Sequence, residues 1–516
     1  MSVESTLTPR EYNEMDKPTH ECGIGMIYTF RPTQKKEDLL SIGHALQHRG
    51  QNGAGIVTSS MNEPKTGIGL LDKALSEEKT QLLDSPSYWA MIHLRYGTSG
   101  GYSDENLQPI MMVAANGQQF FVEVNGNNPL MERLRERYQL PTEWSDTRIA
   151  TFVLSQMAVD DWDQAIVAFS ELEEVAEGAN NMLIGTGDSM YVIRDKYRIH
   201  PFVYGDYGDG EGEVYGSETV LFQKLGIQPK GEVTPGSVTK LTPQGKTILK
   251  EGHQERGNAC IFEPAYFSSP NSHIEDVGDP KEWMSNMWFR MKCGEYVAKE
   301  SPVPHADFVV GMPDSGVPFA HGFANGARLP YYPSMIRSHY NGEGDVRTFM
   351  QDAQMSTIPL LVKGKHMPVV DLRIWKDRVV VIGDDSLVRG HNSQQISDMI
   401  WRLGAKEIHW RYGYPQVRFP CPLGVSFRSQ KELVAAIAEG DNEKIAKLIG
   451  VTSVGFISNE GIIQAAQEIF LPLNAVGSDR VFLENGWCGG CVTGQYPIQL
   501  DDMKEGTIFT SKKDTH

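Results

Sequence analysis

The sequence predicts two large domains, the first built from antiparallel strands with a few helices and the second from a parallel sheet flanked by helices. At 516 residues the chain is too long for one ordinary hydrophobic core. Short strand-like runs broken by Gly, Asn and Asp occupy the first half, for example 89–94, 120–124 and 190–193, and favour an antiparallel sheet. After about residue 260, strands alternate with helical segments, which is typical of βαβ units.

Changes in this rhythm predict the domain boundaries. Residues 1–21 form a polar leader, residues 22–258 the first domain, residues 259–480 the second, and residues 481–516 a C-terminal segment. The leader mixes both charge signs and has no apolar stretch, so it does not resemble a secretory signal. The Gly- and Asp/Glu-rich stretch 204–216 predicts a solvent-exposed hairpin.

Composition narrows the class of partner. The chain has 48 basic and 66 acidic residues, a formal charge of −18, which argues against nucleic acid or an anionic membrane as the main partner. No apolar run approaches the length of a transmembrane helix. Six unevenly spaced cysteines do not form a secreted disulfide framework and indicate a reducing cytoplasm.

Cys22 stands between the polar leader and an apolar run, 24–28, that predicts a buried strand. If the leader is removed, the thiol lies beside its own α-amino group, whose ordinary pKa is about 7.7–8.0. The amine can then accept the thiol proton, so that one residue supplies both nucleophile and base. A lone cysteine is more often a small buried apolar residue, so this interpretation depends on the rest of the chain.

The most informative stretch of the second half is 379–393. A predicted strand ends in Asp384 and Asp385, a loop containing Gly390 follows, and Ile396 begins a helical spacing of apolar residues. Such a loop directs backbone N–H groups and a helix N-terminus at a phosphate, and paired carboxylates suit ribose hydroxyls. An ordinary strand-to-helix turn with Asp and Ser caps explains the pattern equally well.

The sequence Asp-Asp-Ser-Leu-Val-Arg-Gly at 384–390 resembles the signature of type I phosphoribosyltransferases, in the form found in glutamine phosphoribosylpyrophosphate amidotransferases. Residues 310–317 resemble that family's pyrophosphate loop, and 347–351 resemble its Arg-Thr-Phe-Ile-Gln. The resemblance implies a phosphoribosyl pyrophosphate site made of Asp314, Ser315, Gly316, Arg347, Asp384, Asp385, Ser386, Arg389, Gly390, Asn392 and Ser393. It also implies Mg²⁺, with Ser315, Asp384 and Asp385 as the residues nearest to it.

The chain departs from the family pattern at three places. His391-Asn392 replaces the family's Thr-Thr, Arg337-Ser338-His339 replaces Lys-Asn-Arg, and Val370 stands about where an arginine is expected. These departures favour a second hypothesis, a paralogue that keeps the glutaminase chemistry but aminates a different acceptor. A third hypothesis is a non-catalytic assembly or sensor protein on the same fold.

The first half resembles the glutaminase domain of the same family, at 45–56, 93–98, 125–127 and 145–147. The resemblance implies an α+β N-terminal-nucleophile sandwich (αββα), followed by the α/β type I phosphoribosyltransferase domain. Cys22 would attack the glutamine amide, and Asn125 and Gly126 would donate to the oxyanion. The implied glutamine-binding residues are Arg49, Arg95, Thr98 and Asp146. Arg95 suits the α-carboxylate and Asp146 the α-ammonium, although a structural ion pair is the alternative for both.

Cys488 and Cys491 form a Cys-x-x-Cys pair, which serves zinc, iron–sulfur clusters and redox exchange alike. With the Thr-Gly-Gln-Tyr-Pro that follows, the pair resembles the cluster-bearing branch of the family, which implies Cys260 and Cys421 as further ligands. Four thiolates match a 4Fe–4S cluster, and structural zinc is the alternative. Cys293, in a helical run, is expected to fill the core.

The resemblance implies a complete reaction. Glutamine is hydrolysed to glutamate and ammonia, ammonia passes through an internal channel, and it displaces pyrophosphate from phosphoribosyl pyrophosphate to give 5-phosphoribosylamine, the first step of purine biosynthesis. It further implies purine nucleotides as inhibitors and a homodimer or homotetramer. Neither nucleic acid nor a membrane is an expected partner.

Overall fold

The computed structural model describes residues 22–96, 104–158, 161–253, 257–274, 284–337, 366–425, 429–470 and 481–498. Predicted site residues Thr98 and Arg347, and His339 among the departures, lie outside these ranges. No helix in the described part of the chain combines the length and the apolar character needed to cross a membrane.

The N-terminal half contains two antiparallel sheets. Its strands are β1 (Gly23–Thr33), β2 (Gly53–Thr58), β3 (Lys65–Ile68), β4 (Ser87–Arg95), β5 (Ile110–Val113), β6 (Gln119–Asn125), β7 (Asn181–Thr186), β8 (Ser189–Arg194), β9 (Val203–Tyr207), β10 (Gly212–Gly216), β11 (Pro229–Glu232), β12 (Val238–Thr242) and β13 (Gly245–Lys250). One sheet has the order β11-β9-β10-β1-β4-β2-β3, and the other has the order β13-β12-β8-β7-β6-β5.

Helices cover the outer faces of these sheets. They are α1 (Lys36–Leu46), α2 (Leu71–Ala74), α3 (Glu77–Thr80), α4 (Met131–Tyr138), α5 (Asp146–Met157), α6 (Trp162–Glu171), α7 (Glu173–Ala176) and α8 (Val220–Leu225), with 3-10 turns at Gln81–Asp84 and Asp104–Asn106. α1 and α8 pack on the seven-stranded sheet, and α4, α5 and α6 pack on the six-stranded sheet. A third core lies between the sheets and includes Met26, Trp89, Leu183 and Val192. The predicted αββα sandwich is confirmed.

The stretch 204–216 is a hairpin, as predicted, but the expectation that it faces solvent is wrong for its second strand. β10 is buried along its whole length because it pairs with the central strand β1 on one side and with β9 on the other. Only the turn at 208–211 is exposed. Polar composition therefore predicted the turn correctly and the strand incorrectly.

The C-terminal half begins with β14 (Ala259–Cys260) and a short π-helix, Glu263–Phe267. The remaining strands are β15 (Phe308–Gly311), β16 (Met335–Arg337), β17 (His366–Pro368), β18 (Val379–Asp384), β19 (Glu407–Tyr412), β20 (Ser453–Phe456) and β21 (Trp487–Cys488). The helices are α9 (Asn286–Glu300), α10 (Gly316–Ala327), α11 (Leu372–Trp375), α12 (His391–Arg402), α13 (Val434–Ile437), α14 (Asn442–Ile449), α15 (Asn459–Ile469), α16 (Val481–Glu484) and α17 (Gly490–Thr493), with a 3-10 turn at Gln430–Glu432.

Four of these strands form a parallel sheet in the order β15-β18-β19-β20. α9, α10 and α15 pack on one face, and α12 and α14 pack on the other. Both faces are covered, which explains the continuous apolar runs of β15 and β18. The predicted α/β organisation is confirmed, and Cys293 is buried in the core on α9, as expected.

Candidate active sites

Cys22 lies directly before β1, the central strand of the seven-stranded sheet, and is half-buried. Its Sγ lies 3.8 Å from the carbonyl oxygen of Tyr96, the residue that follows β4. β1 pairs with β4 from Gly23 onward and with β10 from Gly25 onward. The cysteine is therefore held on a rigid element rather than on a free loop, which favours accurate positioning of a nucleophile.

Ser217 joins the strand of the cysteine to Asn125. The backbone N–H of Ile24 donates to Ser217 Oγ at 3.0 Å, and the Ser217 N–H donates to the Ile24 carbonyl at 3.0 Å. Asn125 Nδ2, at the end of β6, donates to the same Oγ at 3.4 Å. The second hydrogen of this amide can be offered to an oxyanion. Both Asn125 and Ser217 are fully buried.

Gly126 follows Asn125 in a conformation that requires glycine. Its φ is +143°, and a Cβ at this position would lie 1.8 Å from the carbonyl oxygen of Ala179. A side chain would displace the backbone, and with it the N–H that the predicted oxyanion hole uses. The residue type at 126 is thus determined by the close approach of the 179 backbone.

Arg49 is near Cys22, but its guanidinium has carboxylate partners. Nε donates to the Cys22 carbonyl oxygen at 3.3 Å, while Nη1 donates to Glu218 at 2.6 Å and Nη2 donates to Glu263 at 2.7 Å. The side chain is fully buried, as are both carboxylates. In the described structure the Arg49 guanidinium thus contacts the Cys22 backbone and two carboxylates, and the predicted contact with glutamine stays a prediction.

Two histidines extend this buried charge network. His48 Nε2 lies 2.8 Å from Glu218, and His200 Nδ1 lies 3.4 Å from Glu263. Burial alone would raise the pKa of Glu218, but the neighbouring His48 and Arg49 outweigh it and lower the pKa to about 2. Burial also opposes ionisation of Glu263, yet Arg49 and His200 hold its pKa well below the ordinary value. Both carboxylates are therefore ionised at neutral pH.

The other predicted glutamine ligands lie at the ends of elements. Arg95 ends β4, is 5 % exposed and accepts a hydrogen bond from the Asn52 N–H at its carbonyl. Asp146 begins α5, where its carboxylate accepts from the Thr147 N–H at 2.8 Å and from the Asn128 N–H at 3.4 Å. A carboxylate at a helix N-terminus is stabilised by the helix dipole.

In the C-terminal half, two predicted loops meet at the carboxyl edge of the parallel sheet. β15 and β18 pair up to Gly311 and Gly383, and the chain then turns into Asp314–Gly316 on one strand and Asp384–Asp385 on the other. A Cβ on Gly316 would lie 2.7 Å from Asp384 Oδ1, so the loops are in close contact. This is the edge at which α/β sheets bind ligands.

Asp385 Oδ2 is buried and has no hydrogen-bond partner within the described part of the chain, whereas Oδ1 accepts from the Ser386 hydroxyl at 2.8 Å. Asp384 Oδ1 accepts the Asp385 N–H at 2.9 Å. A buried carboxylate oxygen without a protein partner calls for a cation or a hydroxyl donor from a ligand. Mg²⁺, which prefers carboxylate oxygens, and ribose hydroxyls both fit this donor set.

The loop that follows leads into a helix N-terminus. Gly390 has φ +85° and begins α12 without a side-chain cap, so the first turn of the helix presents backbone N–H groups. Arg389 Nε donates to Glu432 at 2.8 Å, and the Ser393 hydroxyl accepts from Tyr412 at 3.0 Å. Arg337 is ion-paired with Asp314. His391 and Asn392 stand in the first turn of α12.

The four predicted ligand cysteines come from three chain segments, because Cys488 and Cys491 share one. β14 and β21 pair in parallel with Cys260 opposite Cys488, and Cys491 follows three residues later. Cys491 lies 3.3 Å from the Tyr414 hydroxyl, and its charge and that of Cys488 act on the Cys421 thiol. All four are buried. Burial raises the pKa of Cys421 well above its usual range and that of Cys491 to about 11.

The spacing of these thiols bears on what they could hold. Among the described residues, no three of the cysteine sulfurs lie within 4.8 Å of one another. Four thiolates around a single zinc ion would lie about 3.8 Å apart, given a Zn–S distance of about 2.3 Å. A single zinc ion would therefore require the sulfurs to lie closer together than they do in the structure.

The Cys421 segment also contacts the glutaminase half. Asn127 Nδ2 donates to the Pro422 carbonyl at 2.8 Å, and His200 Nε2 lies 2.9 Å from the Leu423 carbonyl. Asn127 is one residue from Gly126, and His200 belongs to the charge network of Arg49. Two independent contacts therefore join the cysteine site to the surroundings of Cys22.

Known proteins with similar sequences identify the family of this chain. The chain is 32% identical over 491 residues to an amidophosphoribosyltransferase of Archaeoglobus fulgidus, covering 93% of this chain and 98% of that protein. It is 31% identical over 528 residues to the human amidophosphoribosyltransferase, again covering 93% and 98%. The chain belongs to the amidophosphoribosyltransferase family. No protein-family model matches it.

Solved structures of the amidophosphoribosyltransferase family agree with this assignment. The glutamine phosphoribosylpyrophosphate amidotransferase of B. subtilis, complexed with ADP and GMP, has a TM-score of 0.77 at 28% identity and covers 94% of this chain and 100% of its own. A second structure, described as the allosteric regulatory enzyme of purine biosynthesis, has a TM-score of 0.78 and covers 95% and 99%. These relatives do not favour the paralogue or the non-catalytic hypothesis.

Sequence reasoning missed several residues around the sites of this amidophosphoribosyltransferase family member. They are Ser217, Glu218, Glu263, His200 and Tyr414. Ser217 and Glu218 could have been found from the polar run Ser-Glu-Thr at 217–219, which directly follows a predicted strand. Glu263 lies three residues after Cys260, but nothing in the local sequence indicates that it pairs with Arg49, 214 residues earlier.

Proposed function

We propose that this protein hydrolyses glutamine at Cys22 and uses the ammonia to displace pyrophosphate from phosphoribosyl pyrophosphate, giving 5-phosphoribosylamine. The observation that carries the proposal is the pairing of two sites in one chain. A cysteine at the head of a central strand is linked through Ile24 and Ser217 to Asn125, and a carboxylate pair meets a phosphate-type loop at one sheet edge. Each of these two sites would carry out one half of the amidophosphoribosyltransferase reaction.

The first half-reaction needs the α-amine of Cys22, which becomes available when the Glu21–Cys22 bond is cut. The amine accepts the thiol proton, Sγ bonds to the glutamine amide carbon, and the tetrahedral oxyanion is stabilised by Asn125 and Gly126. Collapse breaks the C–N bond, and the amine returns the proton to the departing ammonia. Water then adds to the thioester, releasing glutamate and restoring the thiol.

Arg49 acts in this scheme as a positioning residue. Its guanidinium is saturated by Glu218 and Glu263, and its Nε holds the Cys22 carbonyl, so it fixes the nucleophile's backbone. Glutamine itself would be bound through its α-carboxylate by Arg95 and through its α-ammonium by Asp146, as the resemblance implies. Thr98 remains a predicted further contact.

In the second half-reaction, ammonia attacks C1 of the ribose and the bond from C1 to pyrophosphate oxygen breaks. Asp384 and Asp385 would orient the ribose hydroxyls, and the backbone of Asp314–Gly316 would hold the pyrophosphate. The amide groups of the first α12 turn, with Gly390, Asn392 and Ser393, would receive the 5′-phosphate. Arg347, Ser386 and Arg389 remain predicted contacts. Magnesium, held by Asp384, Asp385 and Ser315, would neutralise charge on the pyrophosphate.

The four buried cysteines would hold a 4Fe–4S cluster with a structural role, tying Cys260 and Cys421 to the C-terminal Cys488 and Cys491. Support comes from the four-thiolate donor set and from the separation of the sulfurs. Anaerobically purified protein is expected to be brown, with iron and sulfide in equal amounts. Colourless protein with one zinc per chain bound at the cysteines would contradict this assignment.

Purine nucleotides are proposed as inhibitors, because a nucleoside 5′-monophosphate shares the ribose 5-phosphate of the substrate. The solved B. subtilis relative, which was complexed with ADP and GMP, supports nucleotide binding in this family. GMP and ADP should therefore lower pyrophosphate release competitively with phosphoribosyl pyrophosphate. A homodimer or homotetramer stays a prediction, to be measured by light scattering.

One assay tests the proposed function. Processed protein is incubated with glutamine and magnesium, with and without phosphoribosyl pyrophosphate, while glutamate and pyrophosphate are measured together. Both products are expected, in equal amounts, and ammonium chloride should replace glutamine in the second half-reaction alone. Glutamate without pyrophosphate would indicate a different acceptor, and full activity in protein that still carries residues 1–21 would refute the role of the Cys22 amine.

A further inference from the structure

His305, Glu407 and His409 form a cluster far from both proposed reaction sites. Glu407 and His409 lie at the start of β19, and His305 lies in the segment before β15. In a parallel sheet the amino ends of the strands share one edge, whereas Asp384 stands at the opposite, carboxyl edge. The cluster therefore belongs to neither the phosphoribosyl site nor the cysteine site.

The three side chains converge on one oxygen atom. His305 Nε2 lies 2.9 Å from Glu407 Oε2, and His409 Nε2 lies 3.1 Å from the same atom. One ligand atom from each residue lies within 4.8 Å of the others. The two imidazole rings stand nearly perpendicular, with an interplanar angle of 88° and centroids 5.7 Å apart. The ring nitrogens thus approach the carboxylate from two different directions.

These separations suit a tetrahedral metal ion. Ligands about 2.0–2.1 Å from zinc would lie about 3.3 Å from one another, a few tenths of an ångström from the two nitrogen–oxygen distances observed. We propose that His305, Glu407 and His409 bind a divalent ion of the zinc class, with water in the fourth position. Two imidazoles and one carboxylate exclude Mg²⁺ and Ca²⁺ as preferred occupants, because those ions take oxygen ligands.

The strand supplies two of the ligands in fixed geometry. Residues two apart on a strand point to the same face, so Glu407 and His409 are presented side by side by β19. The His409 side chain is buried, Glu407 is partly buried, and His305 is 60 % exposed. An ion can therefore enter from solvent and be completed by His305, the most accessible of the three.

A supporting residue orients the buried histidine. Ser453 Oγ on β20 lies 2.8 Å from His409 Nδ1 and also accepts from Arg411 Nη1 at 3.1 Å. With Arg411 donating into it, this hydroxyl retains a lone pair for an Nδ1–H. When a metal takes the Nε2 lone pair, the Ser453 hydroxyl can accept from the Nδ1–H and hold the ring in the orientation that binds metal. Ser453 is thus a positioning residue of the proposed site.

The competing interpretation is a hydrogen-bonded triad without metal, in which both histidines donate to Glu407. The two interpretations differ in stoichiometry. If the three residues bind a metal, the chain takes up one tightly bound zinc that is lost when the exposed His305 side chain is removed. If they form only a hydrogen-bonded triad, the chain takes up no zinc there, and substituting His305 does not change the zinc count.

The test uses the full chain with its cysteine site filled as purified, and Zn²⁺ alone as the probe. His305→Ala is the main variant because its exposed side chain contributes little to folding. His44→Ala is the matched control, since His44 is also exposed beside a single carboxylate, Asp72, at 3.3 Å. Calorimetric titration should show one equivalent more in the wild type and in the control than in His305→Ala.

Two further measurements sharpen the result. Ser453→Ala should keep the equivalent but weaken its affinity by about 10- to 100-fold, the usual effect of removing a partner of a ligating histidine. Co²⁺ bound at this site should show no thiolate-to-metal absorption, which separates it from binding at cysteine. Equal zinc counts in the wild type and His305→Ala, or thiolate absorption that accounts for all bound Co²⁺, would overturn the proposal.

Discussion

Around Cys22 the charges are buried and already paired, whereas at Asp384 and Asp385 the carboxylates stand at a sheet edge with one buried oxygen still unpartnered in the described part of the chain. In the first region Arg49 is saturated by Glu218 and Glu263 before any substrate binds. In the second, Asp385 Oδ2 has no protein donor among the described residues. The comparison teaches that the protein itself neutralises the buried charges near Cys22, whereas Asp385 keeps one carboxylate oxygen available to a ligand.

The largest expected effect comes from the nucleophile. Cys22→Ala should lower glutaminase activity by on the order of a thousandfold or more, and leave ammonia-dependent pyrophosphate release intact. Glutamate and pyrophosphate release, measured on the same preparation, check this. Cys293→Ala, at a buried thiol outside both sites, is the control and should retain both activities. Equal loss of both activities in Cys22→Ala would contradict the separation of the two sites.

The second prediction concerns the buried pairs of Arg49. Arg49→Met leaves Glu218 and Glu263 without their shared cation, which should lower the free energy of unfolding by about 3–5 kcal/mol. Denaturant titration measures this, and glutaminase activity should fall with it because the Cys22 carbonyl loses its donor. Arg133→Met, which breaks an exposed pair with Glu173, should be nearly neutral. Similar losses of unfolding free energy in both variants would show that the buried ion pairs of Arg49 stabilise the fold no more than an exposed pair does.

The third prediction uses pH to probe the same network. Because the pKa of Glu218 is lowered from 4.5 to about 2, its contribution is fully present above pH 4.5 and is lost as the pH falls towards 2. The unfolded state takes up the proton first, so the free energy of unfolding should drop by about 3 kcal/mol across this range. Urea titrations at pH 5 and pH 3 measure the first part of this drop, about 2 kcal/mol. Glu218→Gln should show a smaller drop than the wild type. Glu173→Gln, at an exposed carboxylate, should show the same drop as the wild type.

The fourth prediction concerns Asp385, where a substitution should change the free energy of unfolding in the opposite direction to Arg49→Met. Asp385→Asn removes a buried charge that has no partner at Oδ2, so the free energy of unfolding should stay the same or rise, unlike in Arg49→Met. Ammonia-dependent pyrophosphate release should fall on the order of a hundredfold because the ribose is no longer oriented. Thermal unfolding and the pyrophosphate assay are run side by side. A large loss of stability would mean that Asp385 is a structural residue and would end the contrast between the two regions.

The smallest effect is expected at the contact between the halves. Asn127→Ala removes the hydrogen bond to the Pro422 carbonyl and should cost about 0.5–1.5 kcal/mol of stability. It should also reduce the ratio of glutaminase activity with phosphoribosyl pyrophosphate to activity without it. Asn116→Ala, in an exposed turn, is the control. An unchanged ratio would show that this contact does not couple the sites.

Much of the fold followed from local pattern. The apolar runs and helical spacing of 379–403 predicted β18 and α12 closely, since a strand buried on both faces and an amphipathic helix each leave a clear periodic signal. β10 was misjudged because its exposed turn and acidic residues hid its pairing with β1. Pairing partners are set by tertiary packing, which composition does not encode.

The sequence alone determined the two-part organisation, the family, the candidate nucleophile Cys22 and the four cysteines, because these depend on residue types in short, ordered motifs. Only the tertiary structure decided the partners of Arg49, which come from Glu218 and Glu263, 169 and 214 residues away. It also decided the meeting of His305 with Glu407 and His409. The physical reason is that burial and distance, which set the charge state and the role of each group, arise only when distant segments pack together.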